Sequence, residues 1–547
     1  MKHSLLRLVC VALVAAGPAI VVQSDGRART DGRSIETPYR LEAVLGLARE
    51  ARARLDYAGA LRLLDDAARF HGNPTDALVE RASIFLDAED PTRAREFFEA
   101  ALRKESLSPG AAIGLAGVEL LDGNYAGAEA GLRRLLIRDP HNSRGHALLA
   151  RALLENNKPN EAALEAQQAI ALDSHNVEAL TALAFVRARE RKPAEVRELA
   201  RRIVSLDEFN SPARRLLSQY LDGKTGYQQQ VSDAARKHYD CGRTLKQRGK
   251  IAEAFAELEA ALAIEPDYYQ ALLALGDVWL KEGDYQRAAT AARLAEAVDA
   301  DGALAQLELS HAYRGMKERA RIEIGAPNFA AMFDRRAATP AFALTRVILP
   351  EYASLTARER AVIDSAVAPL ARYLPQLARA GARHYLLAYD QRPSEIRSLQ
   401  DSAEEKTLDG RYYDSIRGVG GRVTVSGIEY LETAASGGAN TIAHEFAHQV
   451  HLTAMCKAEV RTIHNLYQQA RREGRVLDYY AAANEMEYFA QGYEAFISDY
   501  KRPSAGPTAR HTNRELLLRD PDLYSFLVKT CGARPVLPLG AAGFFGR

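Results

Sequence analysis

Apolar residues recur at helical spacing along most of the chain, and short polar clusters interrupt them at a constant interval. The clusters Asp139–Asn142, Asp173–Asn176 and Asp207–Asn210 place three asparagines 34 residues apart. A constant period of this length indicates a repeated pair of helices, with one cluster between each pair and the next. The pattern therefore predicts a helical-repeat array over the first part of the chain.

The same phase divides residues 41–302 into seven units of 34 residues, with an insert at 211–234. The eighth position of a unit is always alanine or glycine, and the twentieth is alanine in every unit but one, where it is valine. Small residues at these two positions let a pair of antiparallel helices approach closely. One further helix is predicted over residues 303–316, and the insert is predicted to be a surface loop.

The period, the small residues at the eighth and twentieth positions, and Pro140 and Pro266 near the ends of their units resemble the tetratricopeptide repeat. The resemblance covers roughly residues 41–302 and implies a right-handed superhelix of helix pairs with a concave face. Two roles are open for this array. It is either a stalk that positions the rest of the chain, or a groove that binds a protein partner or part of a substrate.

Beyond residue 320 the 34-residue period stops and a mixed pattern follows. Leu355–Ala380 is predicted to be a long helix that Pro369 kinks or splits in two. A flexible turn is predicted at Gly418–Gly421, and a helix at Thr441–Ala454. Extended segments are predicted at Arg383–Tyr389, Arg422–Val425 and Ile428–Leu431. This order predicts an α+β domain in which the helices carry the chemistry.

The motif with the clearest chemistry, His444-Glu445-Phe446-Ala447-His448, lies on the last of these predicted helices. Two histidines four residues apart project from one face of a helix, about one turn from each other, and this spacing suits a single zinc ion. Glu445 is rotated by about 100° from His444, so it can hold a water molecule beside the metal and accept its proton. The motif predicts a zinc-dependent hydrolytic site with Glu445 as general base.

Two histidines supply only part of a zinc ligand set. Ala454 stands six residues after His448, where one class of zinc enzymes has a third histidine. His451 is seven residues from His444, roughly 10 Å along a helix axis, which is too far for both to share one ion. The third ligand is therefore expected on a later helix, with His451 next to the ligands or at the surface.

The segment 480–494 offers the glutamates for that later helix. Glu485 and Glu487 are separated by about 200° on a helix, so only one of them can face the histidines. Glu487 shares a stripe with Tyr480, Gln491 and Glu494, whereas Glu485 lies away from it. The helical phase therefore favours Glu487 as the ligand. Gln491, one turn later, is placed to hydrogen-bond a ligand histidine. Glu494 lies two turns after Glu487 and cannot reach the same ion. The other phase, with Glu485 as ligand, stays open.

The stretches 444–448 and 480–490 resemble the zinc peptidases of the gluzincin group and, within it, the anthrax lethal factor-like domain. The resemblance implies that Glu487 is the third zinc ligand and that Tyr480 faces the oxyanion of the reaction. The sequence departs from that family at His451 and Gln491, where the family tends to have acids. This departure concerns the hydrogen bonds that orient the ligands.

The formal net charge is +1, from 72 basic and 71 acidic residues. Proteins that bind nucleic acid or an acidic membrane surface carry a basic excess, so this balance argues against both. The expected partners are a peptide or protein substrate and a protein bound to the array.

Residues 1–24 have the pattern of a secretory signal, in which Lys2 and Arg7 precede an apolar stretch from Leu8 to Val22. No later segment is apolar enough to span a membrane. Export to the periplasm or the exterior is therefore predicted, with an uncleaved N-terminal anchor as the alternative.

In an oxidising compartment Cys456 and Cys531 are expected to form a disulfide bond, and Cys241 to be a buried small residue.

These patterns predict an exported zinc-dependent endopeptidase with a signal peptide at 1–24, tetratricopeptide-like repeats at 41–316 and a zinc metallopeptidase domain at 320–547. The extended segment Arg422–Leu431 is expected to be an edge strand that pairs with the substrate. One alternative is a repeat-protein scaffold whose C-terminal domain is not catalytic, although the intact His, Glu, His and Glu set argues against it. The other is a zinc hydrolase that acts on a non-peptide amide.

Overall fold

The computed structural model of the protein describes residues 41–221, 229–334, 339–407, 410–502 and 508–532. The predicted signal at residues 1–24 lies outside these ranges. None of the described helices combines the length and the apolar character needed to cross a bilayer.

The described residues up to 298 form seven helix pairs in phase with the seven predicted units, which are numbered here in chain order. The pairs are α1 (Leu41–Ala53) with α2 (Tyr57–His71), α3 (Thr75–Asp87) with α4 (Pro91–Lys104), α5 (Pro109–Leu121) with α6 (Tyr125–Arg138), α7 (Ser143–Glu155) with α8 (Pro159–Leu172), α9 (Val177–Arg189) with α10 (Pro193–Leu206), α12 (Asp233–Gln247) with α13 (Ile251–Ile264), and α14 (Tyr269–Lys281) with α15 (Tyr285–Val298). The predicted repeat of helix pairs is confirmed.

The periodic asparagines are N-terminal caps of helices. The side chains of Asn142, Asn176 and Asn210 each accept a hydrogen bond from the amide three residues later. Such caps satisfy backbone donors that a helix leaves unpaired at its start. The small residues predicted between the paired helices, such as Ala150 and Ala162 in unit four, are fully buried. In unit four, the asparagine therefore marks where the helix pair begins, and the alanines let its two helices approach closely.

Asn210 begins a helix, α11 (Ser211–Tyr220), in the insert, so the prediction of a surface loop is wrong for these residues. Leu216 and Leu217 are buried, and the Ser211 hydroxyl donates to the Ser310 carbonyl at 2.8 Å. Residues 222–228 of the insert lie outside the described residues.

The helix predicted at 303–316 continues to Glu323 as α16 (Ala303–Glu323), across the proposed boundary at 316–320. Residues 303–313 are all buried. At its far end, Arg321 donates to the Ala88 carbonyl at 2.6 Å, and Ala320 belongs to the apolar cluster of the first unit. This helix therefore links the end of the array to its first two units.

The remaining described residues are mostly helical and carry a small sheet. The helices are α17 (Phe329–Asp334), α18 (Thr345–Ile348), α19 (Ala357–Val367), α20 (Leu374–Arg379), α21 (Glu429–Ala435), α22 (Thr441–Thr453), α23 (Lys457–Arg472), α24 (Glu485–Phe496), α25 (Asn513–Arg519) and α26 (Pro521–Cys531). The strands are β1 (Arg383–Leu387), β2 (Gly418–Val419) and β3 (Val423–Gly427), in the order β1-β3-β2. Strand β3 is parallel to β1 and antiparallel to β2.

Pro369 divides the long helix predicted at 355–380, since a 3₁₀ segment, Ala368–Tyr373, separates α19 from α20. The extended segment predicted at Ile428–Leu431 is wrong, because these residues enter α21. Glu429, Tyr430 and Leu431 are all buried in succession, which a strand with one solvated face would not allow. The buried Glu429 carboxylate forms an ion pair with Arg417 at 2.9 Å.

The sheet also corrects two expectations about its edges. Strand β3, within the predicted edge segment Arg422–Leu431, is the central strand. The predicted flexible turn Gly418–Gly421 instead contributes the edge strand β2.

The C-terminal region contacts the array at widely separated units. Ion pairs join the two regions, the partners being Glu89 with Arg502, Glu155 with Arg510, Arg243 with Glu395, and Lys246 with Asp390. Lys246 also pairs with Asp277 of unit seven at 3.0 Å, and all three of these side chains are almost completely buried. The array therefore holds the C-terminal region along most of its length and is more than a stalk.

All three cysteines among the described residues are free thiols. Cys456 and Cys531 are therefore not joined by the predicted disulfide bond. Cys241 is exposed, contrary to expectation, because the next residue, Gly242, is the one that faces the core of its unit.

Candidate metal and catalytic site

Helix α22 carries the predicted motif through the centre of the C-terminal region. Asn440 caps its start by accepting a hydrogen bond from the Ala443 amide at 3.1 Å. Every residue from Ile442 to His451 is buried. The Gln449 side chain donates to the Arg383 carbonyl at 2.9 Å, which ties the helix to the sheet. A helix fixed on all sides holds its histidines in one orientation.

The structure brings His444, His448 and Glu487 together. Nε2 of His444 lies 3.1 Å from Oε2 of Glu487 and 3.1 Å from Nε2 of His448. Nε2 of His448 lies 3.3 Å from the same carboxylate oxygen. Among the described residues, these three side chains form the one group whose ligand atoms are close enough to share a metal ion.

The donor set fits zinc. Tetrahedral zinc sites have bonds of about 2.0–2.2 Å to imidazole nitrogen and carboxylate oxygen, which separates any two ligand atoms by about 3.4 Å. The observed separations of 3.1 to 3.3 Å are close to that value. The assignment of His444, His448 and Glu487 as ligands stays a prediction, and this geometry agrees with it.

The surroundings of His444, Glu487 and Glu445 shift the pKa values of these three side chains. Burial lowers the pKa of His444, but the hydrogen bond with Glu487 and the nearby carboxylates outweigh it and raise that pKa to about 9. Burial raises the pKa of Glu487, but the two histidines lower it well below its ordinary range. The pKa of Glu445 is raised, chiefly by burial. A buried carboxylate with a raised pKa is suited to accept and release protons.

Glu445 lies beneath the edge strand β2. An added Cβ at Gly418 would lie 2.7 Å from Oε1 of Glu445, and one at Gly420 would lie 2.3 Å from Cβ of His448. The strand can approach the motif this closely because both positions lack a side chain. The sequence showed these glycines, but a close approach of strand and helix explains them better than a flexible turn does.

The other candidates for the third ligand are placed elsewhere. The Glu485 carboxylate pairs with His464. Glu494 is buried with Oε2 at 4.0 Å from Nδ1 of His444, on the side away from the ligand nitrogen, and it accepts a hydrogen bond from the Asn440 amide at 2.7 Å. Glu494 therefore lies behind a ligand histidine and ties it to the start of its helix.

Of two residues predicted near the ligands, Gln491 differs from expectation and His451 agrees with one of the two positions expected for it. Gln491 donates to Asp478 at 3.1 Å and to the Thr508 carbonyl at 2.7 Å, so the prediction that it bonds a ligand histidine is wrong. His451 is buried, with its ring centroid 5.3 Å from that of Phe489. It is a packing residue next to the ligands.

Tyr480 lies near the site, but not on the helix predicted to carry it. Helix α24 begins only at Glu485, so Tyr480 does not share a helical stripe with Glu487. It lies in the preceding turn, 36% exposed, with its ring centroid 6.2 Å from that of His444. Helical phase was the wrong reason, but the residue does lie beside the ligands.

Three residues near this turn were missed by sequence reasoning: Asp478, His511 and Arg189. Asp478 accepts hydrogen bonds from the Tyr480 and Ala481 amides at 2.7 and 2.8 Å. An aspartate that accepts from amides two and three residues later is a known turn signal, and it could have identified the bend. No local signal points to His511 or Arg189, because both reach the turn from distant parts of the chain.

Comparison with protein families finds matches in the array. Tetratricopeptide repeat models match residues 45–105, 85–152 and 239–306. All of these matches end before the C-terminal region begins, so its chemistry is inferred from the site residues. A comparison with curated protein sequences gives no match.

Solved structures of repeat proteins are also similar to parts of the chain. A thermophilic tetratricopeptide repeat protein from Thermus thermophilus is 18% identical and covers 33% of this chain and 98% of its own, with a TM-score of 0.29. The pilF protein of Pseudomonas aeruginosa is 17% identical and covers 41% of this chain and 92% of its own, with a TM-score of 0.26. YrrB, described as a repeat protein with an unusual peptide-binding site, is 19% identical and covers 38% and 95%, with a TM-score of 0.21.

Arrays of this kind mediate protein binding through their extended inner surfaces. The sequence matches and the seven helix pairs together identify the N-terminal part of this chain as a tetratricopeptide repeat array, a protein-binding scaffold.

Proposed function

We propose that the protein is a zinc-dependent endopeptidase whose site is formed by α22, α24 and the turn before α24. The observation that carries the proposal is the convergence of His444, His448 and Glu487, with Glu445 buried beside them. Zinc bound by this set would supply Lewis-acid chemistry that activates a water molecule and polarises a carbonyl group. Export through residues 1–24 is part of the same proposal.

The chain's own residues would perform the remaining steps. Glu445 accepts the proton of the attacking water and passes it to the leaving amine, for which its raised pKa is suited. Tyr480, beside His444, donates a hydrogen bond to the developing oxyanion. The surrounding helices bury Glu445, and electrostatic interactions in such a site are stronger than in water.

The edge strand offers a place for an extended peptide. The Gly427 amide donates to the Arg417 carbonyl, and Gly418 pairs with Ser426 in the next register position. In an antiparallel ladder, residue pairs that hydrogen-bond to each other alternate with pairs whose N–H and C=O groups point away from each other. Gly418 and Ser426 form a pair of the second kind, so the N–H and C=O of Gly418 point to the open edge of the sheet. A peptide that pairs there would run directly past Glu445.

The test combines zinc analysis with digestion of a peptide library by the wild type and by Glu445→Gln. We expect about one zinc per chain in both proteins and cleavage only by the wild type, because glutamine can orient a water but cannot take its proton. Folded protein that binds no zinc after reconstitution would contradict the proposal.

A second candidate is a scaffold with a non-catalytic C-terminal region, and the repeat matches favour it. In that case the C-terminal region would bind a partner and would cleave no peptide. The library digestion separates the two candidates, since a zinc-loaded wild type that leaves every peptide intact supports the scaffold.

A further inference from the structure

The Asp478 carboxylate bonds the backbone of the turn that carries Tyr480. Oδ1 of Asp478 accepts from the Tyr480 and Ala481 amides, and Oδ2 accepts from Nε2 of His511 at 2.8 Å and from Gln491 at 3.1 Å. A carboxylate with four donors has its orientation fixed, and so have the amides that bond to it. The position of the candidate oxyanion donor thus depends on Asp478.

His511 fixes that carboxylate from the other side. It is only 3% exposed and lies between Asp478 and Glu515, whose Oε2 is 3.0 Å from its Nδ1. An imidazole with a carboxylate at each nitrogen is held in one orientation, and burial of these three groups strengthens the hydrogen bonds between them. The preceding residue, Arg510, donates to the Glu155 carbonyl at 3.0 Å and lies over the Tyr125 ring at 4.2 Å. The segment that supplies His511 is therefore anchored on units three and four.

The array also contacts the turn directly. The Arg189 guanidinium lies 4.1 Å from the centroid of the Tyr479 ring, the residue next to Tyr480. Arg189 ends the first helix of unit five, and its Nη2 donates to the Leu154 carbonyl at 3.5 Å. A planar guanidinium held at one end can stack on an aromatic ring and restrict its motion.

We propose that Arg189 and His511 are positioning residues that clamp the Tyr479–Tyr480 turn, so that the array forms part of the catalytic site. The array would then do more than carry the C-terminal region, because its units three to five would set where the Tyr480 side chain lies. This inference rests on the proposed function for its effect on turnover, but the clamp itself is a structural property that can be measured without a substrate.

The first measurement is amide hydrogen exchange of the peptide containing Tyr480 and Ala481. Their amides are protected by Asp478. His511→Gln weakens a charge-assisted hydrogen bond to that carboxylate, and Arg189→Ala removes the contact with the neighbouring Tyr479 ring, so each should raise the exchange of these amides about tenfold. The matched controls are Arg187→Ala, an arginine of the same helix that pairs with Glu190 and Glu195, and His464→Gln, whose histidine pairs with Glu485. Both controls should exchange as the wild type does.

The second measurement is turnover on a cleaved peptide. Arg189→Ala and His511→Gln should lower kcat about tenfold with KM changed less than about twofold and zinc content unchanged, because Tyr480 acts on the oxyanion and not on the bound substrate. Arg189→Lys keeps the charge without the planar stack, so it should recover part of the loss.

The outcomes separate the two proposals. Unchanged exchange in both variants overturns the clamp, whatever the wild type cleaves. If the two variants exchange faster and the wild type cleaves no peptide, the clamp is supported and the proposed peptidase activity is refuted. Faster exchange with unchanged kcat refutes the positioning role.

Discussion

The array and the C-terminal region obtain their order in different ways. In the array, helices are capped and spaced by residues that are close in sequence, such as Asn142, which caps α7, and Ala150 within that helix. In the C-terminal region, the candidate metal ligands His444 and Glu487 come from two helices and are 43 residues apart in sequence. The turn beside them contacts His511 and Arg189 of the array. Contacts between residues that are close in sequence can recur in every unit of the array. The candidate site instead depends on side chains from several segments that are distant in sequence. The predictions below test how far this difference extends.

The largest expected effect concerns the ligand set. Glu487→Ala should lower zinc affinity by more than about a hundredfold, because second-layer partners alone contribute about 10- to 100-fold and Glu487 is placed as a direct ligand. Competition with a chelator measures the affinity. Glu485→Ala is the control, since its carboxylate pairs with His464 and should leave zinc bound. Loss of zinc in the control and not in Glu487→Ala would reverse the assignment.

The next effect concerns the junction of the two regions. Lys246→Ala should lower the free energy of unfolding by about 2 kcal/mol or more, since it removes the buried cation that pairs with both Asp277 and Asp390, while Lys281 still pairs with Asp277. Denaturant unfolding with the single tryptophan, Trp279 of unit seven, gives the measurement. Lys250→Ala, whose lysine pairs with the exposed Glu253, should be close to neutral. Equal losses in both variants would show that the buried network contributes little.

A smaller effect is expected from overpacking within one unit. Ala162→Leu should destabilise the protein by about 1–2 kcal/mol, because Ala162 is fully buried between the helices of unit four. Zinc affinity should not change, since the contacts of this residue are local. Gln167→Leu, an exposed position on the same helix, is the control. A change in zinc affinity would show that the array transmits strain to the site.

The smallest effect is the pH dependence of the clamp. Burial lowers the pKa of His511, but Asp478 and Glu515 outweigh it and raise that pKa from 6.5 to about 9 in the folded protein. The stabilisation is therefore fully present below about pH 6.5 and is lost as pH rises through about 9. The difference in unfolding free energy between wild type and His511→Gln should therefore be largest below about pH 6.5 and should shrink towards pH 9.5. A difference that grows with pH would contradict this expectation. Other charged groups that face the cluster are Arg510 and Arg519.

The sequence predicted the array almost completely, because its signals are local and are repeated seven times. The insert failed because only the capping residue Asn210 marks α11, and its apolar residues are buried by the distant helix α16. In the site, the spacing of His444 and His448 could be read from one helix, and phase selected Glu487 over Glu485. The turn of Tyr480 was missed, because the run of alanines before Asn484 looks helical and hides the turn signal of Asp478, whose side chain accepts from the Tyr480 and Ala481 amides. Contacts with His511 and Arg189 leave no trace in the neighbouring residues.

Helix α16 has a consequence for the order of synthesis. Arg321 bonds the Ala88 carbonyl across 233 residues, and Arg93 donates to the Ile324 carbonyl across 231. At typical elongation rates of about 5–20 residues per second, units one and two leave the ribosome roughly 10 to 50 s before this helix can join them. An open solenoid could fold stepwise from its first unit. Here the contacts of units one and two are completed only by α16, which is synthesised later. The nascent chain therefore exposes the unfinished surface of its first units for that interval, and a chaperone that covers it would act before residue 321 is made.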